Sequence, residues 1–501
     1  MATRMKTTAL EPLRYLSHEE MDALHQAALR ILERTGMWID HVQALEYLRA
    51  AGCQVDMDRR IVKFPSDRVE AAVAHMCRNF QDPDRWPKRL SVRYSQVRFD
   101  AQPLCIHEDF TVSAGGFCCF FWDMNGERRY ATLQDVRQSL KLADQLDQIA
   151  YTGLPCSAQD VPVEIRPVMM AAELGKATRK YGGIETFQRK DVGYVTRIGE
   201  IVAGGRAAHR RNPILVGYAE ARTPLCIDAV MADVMLAHLE LGLPQSLDTM
   251  PNGGATAPMS PAGVLALGMA ETLGGLVLGY AVDPNATLTI DVTPGFCDMR
   301  AMQFRCAGGE RMPLLAARVQ LISEYYGCPS GVHAGKSDAC VPGIQAAVEK
   351  SISMYVAVMA GAIGFGTVGQ LENMITFSPL QLAIDNEMAR YVRHSIRGFE
   401  VNEEGRALEI IEALGHGGHA YDHPHTVENF RKLQLLSPYF DLCGWGMGDS
   451  LDRERFEKRA AAEVRKALAA ESAPVLTPDQ EAAIDEVVKE AAQDYKVQIP
   501  A

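Results

Sequence analysis

The chain lacks the features of a disulfide-stapled or exported protein. Its 12 cysteines are scattered through 501 residues, with no Cys-x-x-Cys motif and one adjacent pair, Cys118-Cys119. That spacing describes reduced thiols in a cytoplasm rather than a disulfide framework or a zinc finger. The first residues, MATRMKTTALEPLRYL, hold no apolar core of the kind a secretory signal needs. Basic patches with interleaved aromatics are missing and the formal net charge is −12, which excludes an ordinary nucleic-acid binder. Repeats and low-complexity tracts are absent too. One apolar run, Ala262–Val282, is long enough to span a bilayer, but Glu271 sits near its middle and no Lys/Arg cluster flanks it. It reads as a buried helix of a protein that makes no use of a membrane. With 47% hydrophobic and 23% charged residues, the chain can bury a large core like an ordinary soluble enzyme.

What is present divides into a helical front, a long α/β middle and a helical tail. Ser17-His-Glu-Glu20 is a capping box that opens a helix closed by Gly36. Helices are expected at His41–Ala51 and near Ser66–Met76, and Asn125-Gly126 predicts a hairpin turn. From Tyr151 short strands alternate with amphipathic helices. Strands are expected at Tyr151–Pro155, Tyr181–Phe187, Ile214–Tyr218, Gln245–Met250, Leu288–Thr293, Ser330–His333 and Ile363–Val368. This α/β rhythm predicts a (β/α)8 TIM barrel whose eighth unit is poorly marked. The expected domains are 1–150 (helices and a hairpin packed on the barrel), 151–430 (barrel) and 431–501 (a helical extension opened by the capping box Thr477–Gln480).

In such a barrel the chemistry lies just past the strand C-termini. There stand Glu185, Phe187, Tyr218 and Glu220, then Asp248, Asn252 and Asp291, then His333, Asp338, Gln370, Glu372 and Asn373. The bland alternative is that polar residues at strand ends cap helices and form turns. Before them all in interest is the turn Pro251–Met259, with Ser260-Pro261 as cap and first residue of the apolar helix.

Three local patterns invite other chemistry. Gly364-Phe-Gly366-Thr-Val-Gly369 matches a dinucleotide fingerprint with Asp385 and Glu387 downstream, yet no helix opens at once behind it. His416, His419, His423 and His425 could hold a metal, but their spacing fits no standard site. Cys328, His333 and Cys340 could do so only if Pro329 and a strand let them converge.

A broader likeness runs the length of the chain. PNGGATAPMSPAGVLALGMAE resembles the Gly-Ala-Thr-Ala-Pro turn and helix of the trimethylamine methyltransferase (MttB-like) family. ILERTGMWIDHVQALEYLRAAGCQVD, LPCSAQDVPVEIRP, EYYGCPSGVHAGKSDACVPGIQAAVEK, GQLENMITFSPLQLAIDNEM and LGHGGHAYDHPHTVENFRK follow in the family's order. The resemblance implies a TIM barrel and methyl transfer from a methylated amine to the cobalt of a separate corrinoid protein. Cobalamin would therefore come with the partner, and no tightly bound cofactor or metal is expected. The trimethylamine enzymes carry pyrrolysine, whereas this chain is written in standard residues; the equivalent position is placed in the neighbourhood of His333–Asp338. Relatives without pyrrolysine act on quaternary amines such as betaines, so the resemblance implies a glycine betaine methyltransferase-like member.

That switch has a chemical reason. A quaternary nitrogen is already positive, so attack on its methyl group releases a neutral tertiary amine and needs no general acid. Catalysis is then positioning, with Glu372, His333 and Asp338 as candidates for any further role. A trimethylammonium group is held best by aromatic faces and carboxylates, for which Phe187, Tyr218 and Phe365 with Glu185, Glu220 and Glu372 are the candidates. Gln370 and Asn252 are further substrate-binding candidates, and Arg222 or the histidine loop would meet a substrate carboxylate. His416, His419, His423 and His425 are expected at the partner-docking surface, and a homo-oligomer is expected. Two other readings stand beside this one: a metal-dependent barrel enzyme using the loop His416–His425, and a non-catalytic betaine-binding or assembly subunit.

Overall fold

Seven short parallel strands organise the middle of the chain: β1 (Thr111–Ala114), β2 (Tyr151–Thr152), β3 (Ala219–Glu220), β4 (Leu247–Thr249), β5 (Asp291–Val292), β6 (Gly331–Val332) and β7 (Gly364–Val368). They come from a computed structural model that describes residues 12–81, 110–440 and 455–499. The reading of the first residues as leaderless rests largely on residues 1–11, outside the described ones.

The strands form two parallel ladders. In one, β6 pairs with β7, β7 with β1, and β1 with β2. In the other, β4 lies between β3 and β5. An extended segment, 181–185, joins them on one side: Thr152 bridges to Tyr181, and the Ile184 N–H donates to the Val216 carbonyl at 3.3 Å. On the other side, between β5 and β6, the described residues form no strand pair. The fold is thus mixed α/β with parallel sheets, and its ladder does not close into one continuous barrel.

The strand that the βα rhythm leaves unmarked is β1, which inserts between β7 and β2. Four residues followed by Gly115-Gly116 carry almost no strand signal. A division at residue 150 therefore cuts between two paired strands, since Ser113 sits opposite Tyr151. The neighbour β7 contains the glycine fingerprint, and its glycines serve sheet packing. A Cβ on Gly364 would collide with Thr111, and Gly369 adopts φ +85°, which favours glycine. Asp385, the expected ribose ligand, is instead fully buried against Lys350.

Helices cover the strands. α1 (His18–Arg34) opens with the expected capping box, and Gly36 ends it at φ +73°. Strand Met37–Ile39 then pairs with Ile61–Lys63 and also, in parallel, with Cys226–Ile227, which sews the helical front to the loop beyond β3. The apolar run forms α2 (Pro261–Val282), packed in one core with α1 and the strands β4 and β5. Among the described residues it is the one helix long and apolar enough for a span, but 89% of its apolar window is buried inside the protein. Side chains at Gly268 and Gly275 would strike Val292 and Leu247, so glycine lets this helix lie directly on the strands. Ser260 stands at the N-cap with Pro261 after it, although its side chain makes no capping bond. Glu271 is buried here for a local reason: it accepts hydrogen bonds from the Leu225 N–H (2.6 Å) and from the hydroxyls of Thr223 (3.0 Å) and Thr249.

Helices α3 (Arg311–Gln320), α4 (Ile344–Met359) and α5 (Pro379–Ser395) flank β6 and β7. The Asn125-Gly126 turn joins Phe120–Trp122 to Arg128–Tyr130, as expected. In the tail, Thr477 and Gln480 form the capping box of helix Pro478–Tyr495. It packs on the helices after β2 and after segment 181–185, with Lys176–Asp485 at 2.5 Å and the Tyr495 hydroxyl donating to Asp191 at 2.6 Å.

Candidate active site

The unpaired edge between β5 and β6 is stitched by two arginines, two helical turns apart on α3. Arg318 donates to the Val292 carbonyl (2.9 Å) and the Ser330 hydroxyl (2.9 Å), and pairs with Asp291. Arg311 donates to the carbonyls of Pro294 (3.0 Å), Cys306 (2.6 Å) and His333 (3.2 Å). Both side chains are buried. Side-chain donors thus replace the backbone ladder where it is missing, which holds the strand ends around a common space.

That space is a cavity of about 130 Å³ where the strands end at their C-termini. Tyr218, Phe365 and Phe117 bring aromatic surface to it, and Glu220 and Asp248 bring carboxylates from neighbouring strand positions, paired in register. His333 and Lys336 follow β6. Glycines 115, 116, 153, 183 and 366 complete much of the wall, so backbone rather than side chain meets a ligand there. Beside Glu220, burial and then the Glu220 charge push the Glu185 carboxyl up to about 8, against a smaller opposing pull from Arg166.

Of the residues expected at the site, Tyr218, Glu220, Phe365 and His333 line the cavity, and Glu185 adjoins it through Glu220. The others are engaged elsewhere. Phe187 is 39% exposed and off the cavity lining, with its N–H given to Asp191 at 2.9 Å. Gln370 is buried and donates to the Gly115 carbonyl, which locks the end of β7 to the end of β1. Glu372 is held by Arg128 (2.8 Å) and the Thr376 hydroxyl (2.6 Å). Asp338 accepts from the Cys306 N–H (2.9 Å) and Arg305 (3.1 Å), a loop-fixing role. The Asn252 amide donates to Met250, and the Asn373 amide to Phe304. Arg222 lies over the Trp38 ring at 5.6 Å, in the sheet of the helical front. Asp291 belongs to the arginine stitch.

The histidine loop does not gather. His416 and His419 are exposed, His423 caps helix Pro424–Leu433, and His419 approaches Asp422 at 3.8 Å. Among the described residues no group of three or more His, Cys, Asp or Glu side chains is placed to hold a metal, which also separates Cys328, His333 and Cys340. The metal-dependent reading therefore finds no ligand set there.

Sequence reasoning passes over Lys336, which lies between two residues it singles out. Its side chain is 1% exposed and its Nζ has no hydrogen-bond partner. The available signal was position alone: a cation just past a strand end, in Gly331-Val-His-Ala-Gly-Lys336. Ser113 and Phe117 were passed over because β1 was.

Residues 1–495 match the family described as trimethylamine methyltransferase. A trimethylamine methyltransferase of Desulfitobacterium hafniense is 27% identical over 488 residues, covering 96% of this chain and 94% of that protein. A glycine betaine methyltransferase of the same species is 26% identical over 488 residues, covering 96% and 97%. The solved monomethylamine methyltransferase of Methanosarcina barkeri aligns over 96% of this chain and 93% of its own at 11% identity, with a TM-score of 0.42.

Proposed function

The chain belongs to the trimethylamine methyltransferase family, and on that premise we propose that it moves a methyl group from a quaternary, betaine-type amine to the Co(I) of a separate corrinoid protein. The observation that carries the reading is the cavity wall, where the aromatic faces of Tyr218 and Phe365 stand with the carboxylates of Glu220 and Asp248 at the strand ends. A trimethylammonium group offers no N–H to hydrogen-bond, so ring faces and nearby negative charge are what can hold it. Two ladders, the extended segment and the arginine stitch are read together as a (β/α)8 barrel that begins at β1 and is open in hydrogen bonding at one seam.

The corrinoid, held by its own protein, supplies the nucleophile. Glycine backbone at 115, 116, 153, 183 and 366 leaves room in the wall for an acceptor that arrives from outside. The chain's own work is to orient the ammonium so that one N–CH3 bond points at the acceptor, and to keep water out. The C–N bond breaks with its electron pair left on nitrogen, so the leaving group is a neutral tertiary amine and no side chain must deliver a proton. The exposed loop with His416 and His419, beside the 87% exposed Tyr421, is the proposed docking edge for the partner.

Incubation of the purified chain with a reduced corrinoid protein and a panel of quaternary amines tests the reading. We expect the absorbance change of corrinoid methylation, with tertiary amine released mole for mole and no turnover of trimethylamine. Binding of quaternary amines without methylation would instead favour a non-catalytic subunit.

Affinity for the ammonium should also depend on pH. Glu185 is neutral below about 8 and charged above it, and a bound cation favours the charged form. Binding of choline, which has no carboxylate, should therefore tighten as pH rises towards 8, level off above it, and release a proton below it. Titration calorimetry in buffers of different ionisation heat reads this, and Glu185→Gln should flatten the profile. A profile unchanged by that variant would remove Glu185 from the site.

A further inference from the structure

Lys336 is a charged group in the cavity wall that the quaternary-amine reading does not use. The loop that carries it is fixed on both sides. Gly335 donates to the Gly366 carbonyl at 2.9 Å, and a Cβ at Gly335 would strike the backbone of residues 366–368. After Lys336, the Ser337 hydroxyl and the Asp338 N–H both donate to Glu349, at 2.7 and 2.9 Å, and the Asn373 N–H donates to the Ser337 carbonyl at 2.8 Å. The neighbours on each side are therefore tied, while the side chain between them lies buried in the cavity wall with no hydrogen-bond partner for its Nζ.

A buried, unpartnered amine costs stability, and folds keep such groups where a ligand completes them. The groups nearby do not complete it: Cys306, Glu220 and Asp291 act on it through space only, and Arg311 opposes it. Burial pulls its pKa down to about 8, so it is still charged at neutral pH. Glu220 and Lys336 come from different stretches of the wall, for β4 and β5 lie between β3 and β6 in the order of the strands. The cavity thus presents carboxylates from β3 and β4 and an amine that follows β6.

We propose that Lys336 anchors a carboxylate of the methyl donor, so that the site selects small zwitterions bearing a quaternary ammonium and a carboxylate over simple cations of the same size. This rests on the quaternary-amine reading and adds the second half of the substrate. Arg222, the cation expected from the sequence for that role, is turned away onto Trp38.

The test compares glycine betaine with choline, which differ in little more than carboxylate against hydroxyl, by calorimetric binding and by methyl transfer to the reduced corrinoid protein. We expect the full-length protein to bind glycine betaine about tenfold to a hundredfold more tightly, the range of a hydrogen bond to a charged group. Lys336→Met should abolish that preference while changing choline binding by less than about twofold, and Lys336→Arg should keep part of it. The ligand-free Lys336→Met protein should melt at a higher temperature than the parent, because an unpaired buried charge is gone; a structural lysine would give the reverse. A parent protein that does not discriminate, a preference that survives Lys336→Met, or a lowered melting temperature overturns the proposal. Betaine binding that depends on Lys336 without methyl transfer keeps the anchor and overturns the methyltransferase reading. Equal methyl transfer from both compounds, indifferent to Lys336→Met, does the opposite.

Discussion

Arg318→Met is expected to lower folding stability by about 3–5 kcal/mol and to abolish methyl transfer. The guanidinium is 2% exposed and the Asp291 side chain 8%, so removing the arginine leaves a carboxylate buried without its partner. The Val292 carbonyl and the Ser330 hydroxyl lose their donor in the same stroke. No backbone ladder crosses between β5 and β6 to share the load, and Lys336 and His333 follow directly on β6. Denaturant unfolding measures the stability loss, and corrinoid methylation measures activity. A variant of parental stability would show that the seam is held by something other than this side chain. Asp291→Asn, which keeps an acceptor, should cost less.

Lys350→Met is expected to cost a similar amount, again about 3–5 kcal/mol, from the helix next to α3. Lys350 on α4 and Asp385 on α5 are both fully buried and meet at 2.6 Å. Asp385 also accepts from the Gly369 N–H (2.6 Å) and the Gln381 amide (2.7 Å). The pair therefore pins the end of β7, where Gln370 reaches across to Gly115. Burial pulls the lysine pKa down and pushes the carboxyl up, and each charge offsets the other's penalty. Replacing both by apolar residues, Lys350→Met with Asp385→Leu, should recover much of the loss, since no charge is then stranded. Losses that simply add in the double variant would mean that the two side chains stabilise the fold independently.

Much of this architecture is legible in the sequence. The capping boxes at Ser17 and Thr477, the Asn125-Gly126 turn and the amphipathic helices are local signals, and each element formed where its caps and periodicity placed it. Strand β1 failed to announce itself because its partners are β7 and β2, far along the chain, and four residues hold too little pattern to stand out. The cavity wall was half legible. Tyr218, Glu220, Phe365 and His333 were reachable from the rule that barrel chemistry follows strand ends, while Phe187, Glu372 and Gln370 obeyed the same rule and were drawn off by Asp191, Arg128 and Gly115. Sequence distance to a strand end fixes which side of the sheet a residue reaches, and the competing partner decides whether it faces the cavity.

The sequence by itself determined the family, the α/β rhythm and, through the absence of pyrrolysine, the kind of amine to look for, because those follow from residue identity and order. It also marked the apolar run as a buried helix through the single charge of Glu271. Only the tertiary structure decided what Glu271 binds, that α3 arginines take the place of a missing ladder, and that Lys336 is buried without a partner. Each of those depends on groups dozens or hundreds of residues apart meeting within hydrogen-bond distance. The cost of burying a charge depends on whether that meeting occurs, and no local pattern records it.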